Sequence, residues 1–421
     1  MNSFFLYIKS QLKDIKSGGI TTFIYKLKKL FFYIIFSPFC IIFILFSRII
    51  SPFILIRTGP VRSDVIGASV QATEFYLSFI KIHKLNSIDF FYLNSVPPNK
   101  QWYKMIKREI KINSIFFYVN KIQRIFPGWE KYHVQMKNYC KGYQRDLEGI
   151  YSQTMPQISF SELENKEGLR YLGKIGLSPG EKYICLIIRD PAYKKKYFPN
   201  LPEDQTLHRN SNPDSYMPAV KYLLENGYWV FRMGKLVEKK LSIKHRKFFD
   251  YPFSEMKNDF LDIWINANCN YVLSGGTGLD EIQKTFRKPC LFVNQLLNLI
   301  ITGQKDILSI FKKVEDLQTG KLLSLKEIIG RDIFNYNMDY QYKNKGIKLI
   351  ENTDEEIKST LIEFENRLKG NWIESSLYKE LHNKYFEELK QWENYDRYHG
   401  KIFGKISETF LLNNKDWLFE N

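Results

Sequence analysis

The spacing of apolar and polar positions changes period repeatedly between Asp259 and Asn294, and the elements it predicts there set the expectation for the whole chain. Ile263, Ile265 and Ala267 fall in a helical run, and Tyr271-Val272-Leu273 is a short apolar strand. The small-residue turn Ser274-Gly275-Gly276-Thr277-Gly278 comes next, then a second helix, then the strand Leu291-Phe292-Val293. The order is helix, strand, helix, strand. A glycine-rich turn at a helix start leaves backbone N–H groups where the helix dipole favours negative charge, so it suits a phosphate. A plain tight turn is the other reading.

The same alternation runs through the rest of the chain. Phe53 to Arg57 reads as a strand, Thr58-Gly59-Pro60 as a turn, and Ile66-Gly67-Ala68 leads into a helix from Gln71 to Ile80. Asp89 to Leu93 is the next strand, and residues 99 to 125 give another helix and the apolar run Ile115 to Val119. The chain turns polar from about Gln144, and Leu177-Ser178-Pro179-Gly180 marks a boundary. The strand Tyr183 to Ile188 then ends in Arg189-Asp190. A polar loop from Pro191 to Pro213 holds Tyr193, His208, Arg209 and Asn210. A helix from Ser215 to Glu225 and the strand Tyr228 to Phe231 follow, closed by Arg232-Met233-Gly234-Lys235. Residues 353 to 396 are helical and amphipathic. Strands that are apolar throughout, alternating with helices, imply parallel sheets covered on both faces. The expected fold class is α/β, with two Rossmann-like domains at 53–175 and 176–350. A membrane-associated segment at 1–52 and a helical segment at 351–421 flank them.

Residues 30 to 46 carry no charge and follow Lys26, Lys28 and Lys29. The run is short for a bilayer span, Pro38 would kink a helix there, and no small-residue cleavage site follows. Arg48 interrupts the apolar sequence, which resumes from Ile49 to Ile56, and Arg57 and Arg62 just beyond put basic residues on the far side too, so charge sets no crossing direction. A monotopic or re-entrant anchor against an anionic membrane surface is the preferred reading, ahead of a single span and then a core helix.

The 421 residues and 44% apolar content suit two or three folded domains. A formal charge of +17 calls for an anionic partner. The basic residues are spread along the chain without a recognition module, so nucleic acid is not the expected one. Cys40, Cys140, Cys185, Cys269 and Cys290 show no metal or redox spacing, which fits a reducing cytoplasm.

Ligands of open parallel sheets bind beyond the carboxyl ends of the strands. Arg189-Asp190, Arg232 with Gly234 and Lys235, and Ser274 to Gly278 all fall there, and arginine forks match phosphate oxygens. Those residues, with Gly275, Gly276, Thr277 and a hydroxyl-binding Glu281, form the expected donor-binding set. Arginine at a strand end also serves as an ion-pair partner, and Glu281 as a first-turn carboxylate suited to the dipole. His208 is a candidate acid, base or phosphate ligand, against a plain surface role. Asp64, with Glu74 behind it, is the choice for a base that activates an acceptor hydroxyl. No DxD sequence offers a metal clamp, so no metal ligands and no cofactor are assigned.

The series Ile187-Ile188-Arg189-Asp190 with Tyr193, His208-Arg209-Asn210, Gly227-Tyr228 with Arg232-Met233-Gly234, Asp250-Tyr251, Asp262-Ile263-Trp264 and Ser274 to Gly278 resembles a bacterial glycosyltransferase family of surface-polysaccharide clusters. The resemblance spans about residues 53 to 300. It implies a GT-B-like enzyme with a nucleotide-sugar donor and a lipid-linked or glycan acceptor, working without an essential metal. Ala68 departs from the histidine expected after Gly67. The expected place of work is the cytoplasmic face of the inner membrane, in capsule, O-antigen or lipopolysaccharide synthesis. A non-catalytic scaffold of the same fold, binding glycan or assembly partners, is the alternative. Donor base, sugar, acceptor, stereochemical course and oligomeric state stay open at this point.

Overall fold

The computed structural model describes residues 2–136, 146–200, 202, 207–297 and 303–419. Cys140, Gln144 and part of the 191–213 loop lie outside the described residues. Contacts divide the chain into two compact units, one of Met1–Val61, Leu85–Asn94 and Ile110–Gln135, the other of Arg62–Lys84, Ser95–Glu109 and Met136–Asn421.

The first unit begins with a long helix, α1 (Asn2–Ile49), whose backbone leaves helical geometry at Gly19 (φ 62°, ψ −156°). The helix continues through Pro38. Proline cannot donate to the carbonyl of Ile34, and the Ser37 hydroxyl donates to that oxygen instead, at 2.9 Å. Three parallel strands follow in the order β1 (Leu55–Val61), β2 (Ser87–Leu93) and β3 (Lys111–Ile112). The expected turn Thr58-Gly59-Pro60 is a correction: all three residues lie inside β1, paired with Phe90, Phe91 and Tyr92. β1 is an edge strand, where proline is tolerated. At Gly59 the backbone is approached so closely that an added Cβ would lie 1.7 Å from the Val134 carbonyl oxygen. The apolar run at Ile115 becomes a helix, α4 (Ile115–Gln123), packed against α1.

The second unit contains α2 (Ile66–His83) and α3 (Lys100–Glu109), and it is built on a seven-stranded sheet. Its strands are β4 (Tyr183–Ile187), β5 (Trp229–Arg232), β6 (Phe248–Asp250), β7 (Val272–Ser274), β8 (Cys290–Gln295), β9 (Ile307–Phe311) and β12 (Lys405–Ile406). The two strands passed over, β10 (Lys313–Asp316) and β11 (Ile347–Ile350), form a small antiparallel ribbon. In space the large sheet runs β12-β9-β8-β7-β4-β5-β6, and every pairing is parallel. The chain therefore winds outward from β4 to β6, returns to the centre, and winds the other way from β7. That is doubly wound topology with its switch point between β4 and β7.

Both faces of the sheet are buried, which is why its strands are apolar throughout. Ile184, Leu186, Val230, Leu273, Leu291 and Val293 face one core. Tyr183, Cys185, Phe231, Val272, Cys290 and Phe292 face the other. The first core is covered by helices Met217–Glu225, Asp354–Leu368, Ser376–Leu389 and Glu408–Leu418, so the carboxy-terminal segment forms a layer of this unit. Helices Glu162–Lys174 and Asp259–Asn268 cover the second.

Glu74 on α2 is fully buried, and its carboxylate meets the Arg287 guanidinium at 2.8 Å and the Gln157 N–H at 3.0 Å. Burial pushes this carboxyl up, and Arg287 pulls it back. Glu74 is thus an internal tie of the second unit. Replacing Arg287 with Met strands the carboxylate, and the expected loss is about 3–5 kcal/mol in chemical denaturation.

Candidate functional site

Beyond the carboxyl ends of β4 and β7, at the switch point, the second unit encloses a cavity of about 440 Å³. That volume falls in the range of small-ligand sites. β4 delivers Arg189 and Asp190 to it, and the short helix after β4 (Ala192–Tyr197) delivers Tyr193 and Lys194. Arg209 enters from the following loop, Gly234 and Lys235 from beyond β5, and Thr277, Gly278 and Glu281 from beyond β7. The start of α2 (Ile66, Gly67, Ala68) closes one side. Gly67 and Gly278 touch: an added Cβ at Gly67 would lie 2.6 Å from the Gly278 Cα.

Charge is the chief property of this cavity. Among the described residues, neither the Arg189 nor the Arg209 guanidinium has an ion-pair or hydrogen-bond partner, and the Arg189 Nε is buried without one. Burial, together with the neighbouring charge of Arg209, pushes Arg189 down to about 10, so it stays cationic at neutral pH. Burial also lowers Arg209. Lys194 is lowered by burial and then by both arginines. α2 adds an unfilled helix start, since its cap residue Val65 has no capping side chain and its first turn has no acidic residue. Helix N–H groups without caps and arginines without counter-ions both call for an anion.

Some expected residues sit elsewhere. Arg232 is 1% exposed and does not line the cavity. It lies 3.5 Å from Asp250 and 3.9 Å from Asp190, and it donates to the Lys239 carbonyl at 2.6 Å, so it ties three segments together. Asp190 lines the cavity, with its carboxylate accepting the N–H groups of Ala192 and Glu238 at 3.0 and 3.1 Å. Lys235 donates to the Pro98 carbonyl at 2.9 Å.

The Ser274 to Gly278 turn uses most of its donors internally. Gly275 N–H bonds to the Ile187 carbonyl at 2.9 Å, and Gly276 N–H to the Ser274 hydroxyl at 3.1 Å. Thr277 N–H goes to Asp280, and Leu279 N–H goes to the Thr277 hydroxyl at 3.0 Å. Buried Asp280 also accepts the Ser274 hydroxyl at 2.7 Å. This turn shapes the wall, where Thr277 and Gly278 line the cavity, and spends these donors on itself and on β4. Glu281 pairs with Lys284 through one oxygen, while the other is buried without a partner. Burial raises the Glu281 carboxyl.

The two catalytic candidates lie outside the cavity lining. Asp64 is half exposed and bonded to Arg62 at 3.0 Å. Partial burial works against its charge, but Arg62 and nearby backbone N–H groups outweigh that and lower it. His208 Nδ1 donates to Asp339 at 2.8 Å, and Asp339 also accepts the backbone N–H groups of Leu207 and His208 at 2.7 and 2.6 Å. Burial lowers the imidazole while Asp339 opposes it. His208 thus anchors the turn whose next residue, Arg209, reaches the cavity. The sequence pattern missed the site roles of Arg209 and Lys194, and the one available signal was their place in a basic loop after the central strand.

No protein-family model matches the chain, and no curated protein matches it. Among solved structures it is similar to the glycosyl transferase family 9 protein of Veillonella parvula, with 11% identity over 68% of this chain and 95% of that one and a TM-score of 0.40. It is also similar to ADP-heptose lipopolysaccharide heptosyltransferase II of E. coli, at 12% identity, 61% and 90% coverage and a TM-score of 0.34. A third is a protein described as a UDP-N-acetylglucosamine 2-epimerase from Listeria monocytogenes, at 9% identity, 87% and 96% coverage and a TM-score of 0.27. Similarities this weak leave function to the chain's own residues.

Arg209→Gln removes a repulsion and breaks no hydrogen bond or ion pair among the described residues, so its thermal midpoint without ligand is expected to equal or exceed that of the natural chain. Arg232→Gln leaves Asp190 and Asp250 without their buried cation, and an expected loss of about 3–5 kcal/mol distinguishes the two arginines by calorimetry.

Proposed function

We propose that this protein is a glycosyltransferase of GT-B-like type that takes a sugar from a nucleotide-sugar donor and passes it to a lipid-linked or glycan acceptor. Its setting is surface-polysaccharide synthesis at the cytoplasmic face of the inner membrane. The observation that carries the reading is the pair of unpartnered guanidinium groups, Arg189 and Arg209, in a cavity at the switch point of a doubly wound sheet. A nucleoside diphosphate is the ligand class that supplies two adjacent anionic groups and a body of this size.

In the reaction the acceptor hydroxyl oxygen bonds to the anomeric carbon as the bond from that carbon to the diphosphate oxygen breaks. The electron pair and negative charge leave with the diphosphate, where Arg189, Arg209 and the α2 start stabilise them. Glu281, with one oxygen free of protein partners, suits a donor hydroxyl. Asp64, ionised through neutral pH and two residues before α2 begins, is the base assigned to the acceptor proton.

Isothermal titration of the full chain with a panel of nucleoside diphosphates and nucleotide sugars tests the reading. Binding is expected for at least one, weakened about tenfold or more by either Arg189→Ala or Arg209→Ala, since a charge-assisted bond contributes ~1.5–3 kcal/mol. Affinity should fall with rising salt. Asp64→Asn is expected to cut kcat while leaving donor affinity unchanged. Nucleotide binding with no sugar transfer to any acceptor fraction would favour the non-catalytic scaffold, and absence of all nucleotide binding would end both the donor assignment and the transferase reading.

A further inference from the structure

Helix α1 is apolar on every side from Leu30 to Phe46, yet protein covers one side only. Tyr33, Phe36, Cys40, Phe43 and Ile44 form a stripe against α4, where they meet Phe116, Tyr118, Val119 and Ile122. At about 3.6 residues per turn, Phe31, Ile35, Ile42 and Ile49 fall on the opposite side. Those four are 59, 43, 66 and 74% exposed. By length and composition alone, Lys16–Ile49 could cross a bilayer.

The packing of α1 argues against crossing. α4 runs beside the Tyr33–Ile44 part of α1, and α4 is itself fixed to the sheet of the first unit. Asn120 on α4 donates to the Thr58 carbonyl of β1 at 2.8 Å. β1 and β2 carry the Arg57–Asp89 ion pair at 2.6 Å. Threading Leu30–Ile49 through hydrocarbon would take Asn120, Lys121 and polar groups of that sheet in with it, at several kcal/mol for each group left unsatisfied. The part of α1 before the α4 contact offers no substitute, because it holds Lys16, Lys26 and Lys28 and breaks at Gly19.

We propose that α1 lies in the plane of the membrane, immersed in one leaflet along the face Phe31, Ile35, Ile42 and Ile49, with α4 on its aqueous side. The occupant of this face is the hydrocarbon of an anionic bilayer, because the helix presents a long exposed apolar surface directly after the exposed Lys28, which suits a phosphate headgroup, while Lys26 pairs with Asp14 at 2.9 Å and Arg48 donates to the Pro127 carbonyl at 3.0 Å. The proposal rests on the membrane association assigned above and is independent of the sugar-transfer step. It also replaces the re-entrant alternative, because the helix does not turn back at Pro38.

The test uses the full chain, with Cys140 replaced by Ser and the other four native cysteines buried, carrying the single substitutions Phe31→Cys, Ile42→Cys or Ile49→Cys, each spin-labelled and bound to phosphatidylethanolamine–phosphatidylglycerol vesicles, with the Cys140→Ser chain alone as the labelling blank. Label depth is read from competing collisions with oxygen and an aqueous nickel chelate. Three depths that agree within a few Å are the expected result. A crossing helix would separate Phe31 from Ile49 by about 27 Å, at 1.5 Å per residue. Graded depths, or failure of a chain folded by circular dichroism to bind the vesicles, overturns the proposal. Nucleotide titration of the same variants reports separately on the transferase reading, which fails alone if depths agree and nucleotides do not bind.

Discussion

Two like charges placed together in a partly dry cavity are unfavourable unless a ligand completes them, and the Arg189–Arg209 pair is where that cost is concentrated. Nearby carboxylates soften it, since Asp190 and Asp280 both favour the charged form of Arg189. Both carboxylates are also engaged elsewhere: Asp190 accepts the N–H groups of Ala192 and Glu238, and Asp280 accepts the Thr277 N–H and the Ser274 hydroxyl. The cations are therefore held without being neutralised. That arrangement is preorganised for an anion, because the positive groups need not be ordered or freed when one arrives.

The rest of the second unit supports this arrangement. Double winding brings the ends of β4 and β7 side by side, so the residues that follow them meet in space although nearly 90 positions separate Arg189 from Thr277. The Gly67–Gly278 contact lets α2 approach the β7 turn, and the Glu74–Arg287 tie holds α2 there. Asp339 and Lys312 fix the loop that presents Arg209, the latter by donating to the Asn210 carbonyl at 2.7 Å.

Much of this was legible in the sequence. The parallel sheet was readable because strands buried on both faces carry no polar alternation, and the 259 to 294 stretch resolves into the helix, strand, helix and strand its spacing predicts. The site was only partly legible. Arg189 and Arg232 look alike as strand-end arginines, and what separates them is Asp250, which pairs with Arg232 from the neighbouring strand. The Ser274 to Gly278 turn looks like a phosphate loop until Asp280 is weighed: a carboxylate two residues after the last glycine takes the Thr277 N–H and the Ser274 hydroxyl. Gly59-Pro60 has the composition of a turn, and only the approach of Val134 shows why a strand needs glycine there. Arg209 lay hidden beside His208, the more reactive side chain, which the fold uses as an anchor.

In the function proposed for this chain, two arginines and the start of α2 receive the phosphates of a nucleotide. The most direct measurement is a crystal structure of the chain soaked with a nucleoside diphosphate. Phosphate density is expected within hydrogen-bonding distance of both the Arg189 and Arg209 guanidinium groups, with a terminal oxygen facing the N–H groups of Gly67 and Ala68. Density held by the Ser274 to Gly278 turn alone, or in the cleft beside His208 and Asp339, would contradict it.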